Sequence, residues 1–180
     1  HPSNSYIYLY GNMDMEEKLA FLDEHYLSHF DYLDVDSVIQ EQKAFGACRD
    51  VTLEYPVAEN EGEEDNTYLS YNMVVGNAAD SQMAMAFEVL DYALLSAPGA
   101  PLKQALLDVK AGKDVYGSYD DGILQPYFTV IAKGSNPDRK EEFVSVIRQV
   151  LGDIVKNGID RKAVEAGINY FEFRYREADF

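Results

Sequence analysis

Two spacings of hydrophobic residues alternate along this chain, and each switch between them marks a predicted element. Ser5 to Tyr10 alternates with period two, placing Tyr6, Tyr8 and Tyr10 on one face of a strand and Ile7 and Leu9 on the other. Gly11 and Asn12 end it. Asp14 then offers a capping carboxylate with Glu17 at capping-box spacing, and a helix follows with Met15, Leu19, Leu22, Tyr26, Leu27 and Phe30 on its apolar stripe. Leu33 to Asp50 mixes apolar residues with Gln and acids and reads as a helical turn or an extended connection. Val51 to Val57 alternates as a strand whose end Pro56 places at an edge, and Glu59 to Asn66 is an acidic, solvated loop. Thr67 to Val75 is a further strand with Leu69, Tyr71, Met73 and Val75 on one face. It is expected to pair with Val51–Val57 across the loop.

Beyond the break at Gly76–Asp80, Asp80 or Ser81 can cap a helix reaching to about Ser96, with Met83, Phe87, Leu90 and Leu94 in register. Pro98-Gly99 stops it. Pro101 opens a shorter helix that turns Leu102, Leu106 and Val109 inward and ends at Gly112. Val115–Tyr119 and Leu124–Lys133 form a predicted hairpin about Asp121-Gly122. Asn136-Pro137 opens a helix carrying Phe143, Ile147, Val150, Leu151 and Ile154, closed by Asn157-Gly158. Asp160 caps the last helix, with Val164, Ile168 and Phe171 on one face. Hairpins outnumber single crossovers in this order. The predicted class is therefore α+β: one mostly antiparallel sheet with helices on one face, in a single domain spanning residues 1–180.

Composition narrows the partners. A net charge of −17 opposes nucleic acid and anionic membrane surfaces and favours cationic partners such as basic peptides. Hydrophobic residues make up 47% of the chain, enough for a core. Cys48 is the single cysteine, so no internal disulfide forms; without a basic or His neighbour it is expected to be a small core residue. Neither a signal segment nor a bilayer-length apolar run is apparent, which points to the cytoplasm, or to an organelle matrix in a eukaryote. The chain opens on His-Pro without an initiator Met, as a piece of a longer protein would.

The opening HPSNSYIYLYGNMDMEEKLAFLDEHYL and the closing EAGINYFEFRYREADF together resemble the second domain of insulinase-type zinc metallopeptidases of the presequence-protease-like subfamily. A strand end of Tyr-Gly-Asp type runs into an acidic helix there, and here Asn12 stands in the Asp position. The resemblance spans the whole chain and implies the α+β fold of those peptidase domains. It further implies a non-catalytic role in the N-terminal half of an enzyme whose two halves enclose a chamber for unfolded peptides. Zinc would then belong to the parent enzyme and not to this piece, and the partners would be the catalytic and C-terminal domains of the same polypeptide.

The residues themselves agree that no catalytic or metal-ligating set can be named. The family's zinc motif, His-x-x-Glu-His, puts two imidazoles and a water-activating carboxylate on one helical face. His25 and His29 have the right separation, but Tyr26, Leu27 and Ser28 lie between them, and nothing holds Glu24 or Asp31 on their face as a third ligand. Histidines near a helix C-terminus, where positive charge is favoured, are the ordinary explanation. Gly117-Ser118 lies in a predicted strand rather than a nucleophile elbow, and Gly112-Lys113-Asp114 lacks the rest of a phosphate loop. Acid pairs such as Glu16-Glu17, Glu63-Glu64-Asp65 and Asp120-Asp121 fall on a helix start, a loop and a turn. Tyr6, Tyr8, Tyr10, Tyr68 and Tyr71 can line a wall that grips extended peptides, or simply fill a half-buried sheet. Arg174, Tyr175 and Arg176 form one basic-aromatic cluster, ordinary for a helix C-terminus. Substrate-binding residues are left unassigned. Two further readings stay open: a free-standing acidic binding or assembly module, and a metallohydrolase built on His25 and His29.

Overall fold

Asp14 caps the first helix as its spacing predicts, its Oδ1 accepting from the Glu17 amide at 3.1 Å. The structure, a computed structural model, describes residues 1–58 and 62–178, and its contacts gather the chain into two units, His1–Glu41 and Gln42–Phe180. In the first unit, α1 (Met15–His25) is followed by a 3₁₀ turn at Leu27–His29. Tyr26 caps α1 and Phe30 is extended, so the predicted stripe breaks after His25; no residue of α1 is buried. The Ser3 hydroxyl accepts from the Leu33 amide at 3.0 Å, and Asn4 Oδ1 accepts from Ser37 Oγ at 2.9 Å, tying the 33–37 segment back to the start of the chain.

The strand expected at Ser5–Tyr10 does not form. Those residues join no ladder, and Tyr6 is fully exposed. Alternation makes a segment fit for a sheet, but a strand exists only when its N–H and C=O groups find a partner backbone. The first unit offers none among its described residues.

In the second unit, β1 (Thr67–Val74), β2 (Asp114–Asp120) and β3 (Tyr127–Ser135) form one antiparallel sheet in the order β1-β3-β2. β2 and β3 pair as predicted, but β3 begins at Tyr127 rather than Leu124, so residues 121–126 connect the strands in place of a tight turn at Asp121-Gly122. The hairpin expected between Val51–Val57 and β1 is absent: β1 pairs with β3, while Val51, Leu53 and Tyr55 are exposed and join no ladder. Adjacency in sequence favoured the short connection, but β3 is the strand with apolar residues to share. Its Phe128, Val130 and Ala132 stand opposite Met73, Tyr71 and Leu69 of β1. Of the acidic loop predicted to join the two segments, residues 59–61 lie outside those described.

α2 (Ser81–Asp91) begins at the predicted cap, Asp80 Oδ1 accepting from the Met83 amide at 3.0 Å, and runs into a π-helical turn at Tyr92–Ser96. α3 (Pro101–Asp108), α4 (Lys140–Asn157) and α5 (Arg161–Glu177) follow, with Asp160 capping α5 at 3.0 Å from the Lys162 amide. Leu95, Leu102 and Leu106, with Phe143 and Ile147 of α4, close over Val115, Val130 and Ala132 of the sheet to make the core. Burial of each large aliphatic or aromatic side chain here contributes about 1.5–3 kcal/mol. α5 packs on α2 where Gly167 lies against Val89, Phe171 is buried, and Tyr170 stacks on Tyr92 at 5.0 Å. The α+β class and a sheet covered by helices on one face are thus as the pattern predicts.

Two glycines are dictated by the layers. Gly117, in the centre of β2, lies where Leu95 of the π turn presses on the sheet; a Cβ there would stand 2.2 Å from Leu95 Cδ1 and 2.6 Å from Asp91 Oδ1. At the far end of the ladder, Lys133 and Gly134 together stand opposite the single residue Tyr68, between the pairs Thr67–Ser135 and Leu69–Ala132. Gly134 has φ +67°, the left-handed conformation such a bulge calls for.

Candidate functional surface

The helices leave the second face of the sheet uncovered. Ser70, Asn72 and Val74 of β1, Tyr116, Ser118 and Asp120 of β2, and half-buried Tyr127 and Ile131 of β3 occupy it. Its polar groups are tied across the strands: Thr129 Oγ1 donates to Asn72 Oδ1 at 2.9 Å, and Asn72 Nδ2 donates to Ser70 Oγ at 3.1 Å. Tyr127 Oη donates to Asp120 Oδ2 at 3.0 Å, which holds the phenol above its usual pKa. Asp120 Oδ1 also accepts from the Gly122 amide at 3.0 Å, so this acid shapes the turn. An open face carrying tyrosines, hydroxyls and a carboxylate is suited to hold extended polar chains.

A second acid-aromatic concentration lies where α2, the β2–β3 turn and the end of α5 meet. Tyr119 stacks on Phe87 at 5.5 Å; its phenol is raised first by burial and then by Asp121, Glu88 and Asp80. Tyr175 Oη donates to Glu88 Oε2 at 2.7 Å and is raised by that bond above all. Both phenols remain neutral donors at physiological pH, and the carboxylates around them give this end of the second unit a negative field.

The other sequence candidates resolve into structure. His25 ends α1 with its ring 4.5 Å from that of Phe21, and His29 lies in the 3₁₀ turn beyond. No group of three His, Cys, Asp or Glu side chains among the described residues is arranged to hold a metal ion. Tyr6, Tyr8 and Tyr10 belong to the first unit, Tyr68 is on the open side of β1, and Tyr71 packs against the core. Arg176 pairs with Glu172 at 2.7 Å while Tyr175 turns to Glu88, so the basic-aromatic run is dispersed around α5. Ser118 faces solvent from the middle of a strand. Lys113 donates its amide to the Lys133 carbonyl at 2.8 Å and pairs with Asp65 at 3.1 Å. Cys48, expected in the core, is exposed: its segment joins no helix or strand that could carry it inside.

One residue of interest was missed. Asp91 is half-buried where α2 becomes π-helical; its Oδ2 accepts from Ser96 Oγ at 3.3 Å, and its Oδ1 is buried with no hydrogen-bond partner. Burial raises its pKa, and the Ser96 bond only partly opposes this. The signal was available, because position 91 is one turn beyond Phe87 and so on the apolar stripe of the helix.

Comparison with known families decides the identity. Residues 1–171 match the peptidase M16 inactive domain. The chain belongs to that family. It is 45% identical over its whole length to protein HypA of Clostridium perfringens, of which it covers 18%. It is 31% identical to presequence protease 1, chloroplastic/mitochondrial, of Arabidopsis thaliana, over 98% of the chain and 17% of that protein. The mitochondrial presequence protease of Xenopus laevis is 25% identical over the same shares. The chain thus spans less than a fifth of the length of these relatives. Among the described residues, no helix is long and apolar enough to cross a membrane.

Proposed function

We propose that residues 1–180 are one domain of a longer, multidomain M16 zinc endopeptidase, the second domain of its N-terminal half, and that it walls the chamber in which unfolded peptides are cut. In this role the domain encloses substrate and packs against the catalytic and C-terminal domains of the same polypeptide, while the zinc and its water-activating carboxylate are carried by the catalytic domain. The observation that carries the reading is the uncovered face of the sheet. It bears Tyr116, Tyr127 and Asp120 on a chain of net charge −17, as a wall facing extended basic peptides would. Membership of the M16 inactive-domain family and the presequence-protease names among its relatives support it. The cytoplasm, or an organelle matrix, is the compartment consistent with that work.

The test uses the full-length polypeptide. Peptides of equal length and different charge should be cleaved at rates that rise with positive charge, the advantage shrinking as salt is added. Equal cleavage of cationic and anionic peptides, with no salt dependence, would overturn the role of the acidic wall. A reading frame with no His-x-x-Glu-His within one domain length upstream would favour a free-standing acidic module instead.

A further inference from the structure

The β-bulge at the end of the sheet borders a cavity of about 320 Å³, small but within the range of ligand-sized sites. Tyr68 and Tyr55 form one wall, their rings meeting edge-on at 5.9 Å, with Pro56 and Val57 beside them. The Tyr55 hydroxyl donates to the Asn66 carbonyl, which fixes the ring. Below lies Asp65, in the left-handed conformation at φ +58°. Asn136, 71 residues away, holds it from both sides: its Oδ1 accepts from the Asp65 amide at 2.9 Å and its Nδ2 donates to Asp65 Oδ1 at 2.8 Å. The other carboxylate oxygen faces Lys113 Nζ at 3.1 Å.

The charges in this cavity are unequal. Asp65 is fully answered by Asn136 and Lys113. Lys133, which the bulge turns toward Tyr68, makes no ion pair among the described residues; its Nζ stands 5.8 Å from the Tyr68 ring centroid. Among the described residues the cavity has aromatic and aliphatic walls and one ammonium outside an ion pair, a setting that selects a monoanion on an apolar body. Among the described residues it has neither the clustered cations nor the forked guanidinium that phosphate recognition uses.

We propose that this cavity binds the free C-terminal carboxylate of a peptide, with Lys133 taking the carboxylate and Tyr55 and Tyr68 taking the last side chain. The proposal deepens the chamber-wall reading and rests on it for the source of the peptide: a chain held by its end at the sheet margin would have its other residues free to lie along the open face.

The test is a binding measurement on this chain, so its failure is separable from failure of the peptidase reading, which cleavage by the full-length enzyme judges. N-acetyl-Ala-Ala-Phe is titrated as free acid and as C-terminal amide, by calorimetry and by the amide resonances of Tyr68, Lys133 and Gly134. The free acid should bind at least about tenfold more tightly than the amide, the fold-change expected of one charge-assisted contact. Lys133→Met should abolish the difference with unchanged thermal unfolding, Lys133→Arg should keep it, and Tyr68→Ala should weaken both ligands. Equal binding of acid and amide, or a preference that survives in Lys133→Met, would overturn the proposal. So would equal binding of an amidated peptide carrying Glu before its last residue, because the cavity would then read any carboxylate and not the chain end.

Discussion

At the scale of single residues, two positions beneath the π turn carry the sharpest consequences. Gly117 is required by contact, since a methyl group would stand 2.2 Å from Leu95 Cδ1 and 3.1 Å from the Thr129 carbonyl. Gly117→Ala should cost about 1–3 kcal/mol by overpacking, read as a lower denaturation midpoint with unchanged m-value; an unchanged midpoint would mean that the helices do not press on β2 as described. Asp91 works in the opposite direction. Because burial raises its folded pKa, the folded state keeps the proton to higher pH than the unfolded chain does. Stability is then greatest below the ordinary carboxylate value and falls as pH rises through the raised one, so the full penalty is present at neutral pH. Asp91→Asn should therefore stabilise the protein at neutral pH by on the order of 1 kcal/mol and flatten the acid limb of its stability profile. Loss of stability at neutral pH would show that the charged carboxylate has a partner there. His25 and His29 give a simpler expectation: the dialysed chain should carry no stoichiometric zinc, and stoichiometric zinc lost in a His25→Ala, His29→Ala variant would restore them as ligands.

At the scale of elements, legibility followed how local each instruction was. α2 and α5 were readable because cap and stripe lie within the element, Asp80 and Asp160 capping where their spacing indicates, and α4 because its stripe and its stop at Gly158 do, although Asn136-Pro137 opens a 3₁₀ turn and no side chain caps α4 itself. The β2–β3 hairpin was readable for the same reason, its turn chemistry lying between its strands. Ser5–Tyr10 and Val51–Val57 were misjudged because alternation specifies only half of a strand; the pairing of β1 with β3 depends on residues more than fifty positions apart. The π turn at Tyr92–Ser96 carries no local sequence mark, and neither does the cavity, which needs Tyr55, Asp65 and the stretch from Lys133 to Asn136 at the end of β3 to converge from three segments. The helix layer also supplies the most direct test of the core. Ile147 of α4 is fully buried within the cluster that covers the sheet. Ile147→Ala should cost about 2–5 kcal/mol, whereas Val155→Ala on the exposed side of the same helix should fall within about 0.5 kcal/mol. Equal effects of the two would invert the assignment of α4's faces.

At the scale of the whole molecule, the charge decides between two opposed effects of salt. The ion pairs in the structure, such as Arg161–Glu165 and Arg176–Glu172, lie at the surface, where each is worth about 0–1 kcal/mol and is weakened by added salt. Against them stands self-repulsion from 32 acidic residues facing only 15 Lys and Arg, a net −17 at neutral pH. Many of those acids have no cation to answer them, so repulsion extends over the surface, whereas each ion pair is a local contact. Screening with a Debye length of about 8 Å at physiological ionic strength therefore removes more repulsion than attraction. The melting temperature should rise as sodium chloride is added from low to physiological ionic strength, and it should rise similarly with potassium chloride, because screening does not distinguish the two cations. The same screening should weaken the binding of a basic peptide to the chain, chiefly through a slower on-rate. Stability and cationic affinity should thus move in opposite directions along one salt titration. A melting temperature that falls with salt would place the balance with the ion pairs, and the acidic surface could then no longer be described as uncompensated charge available to a basic peptide.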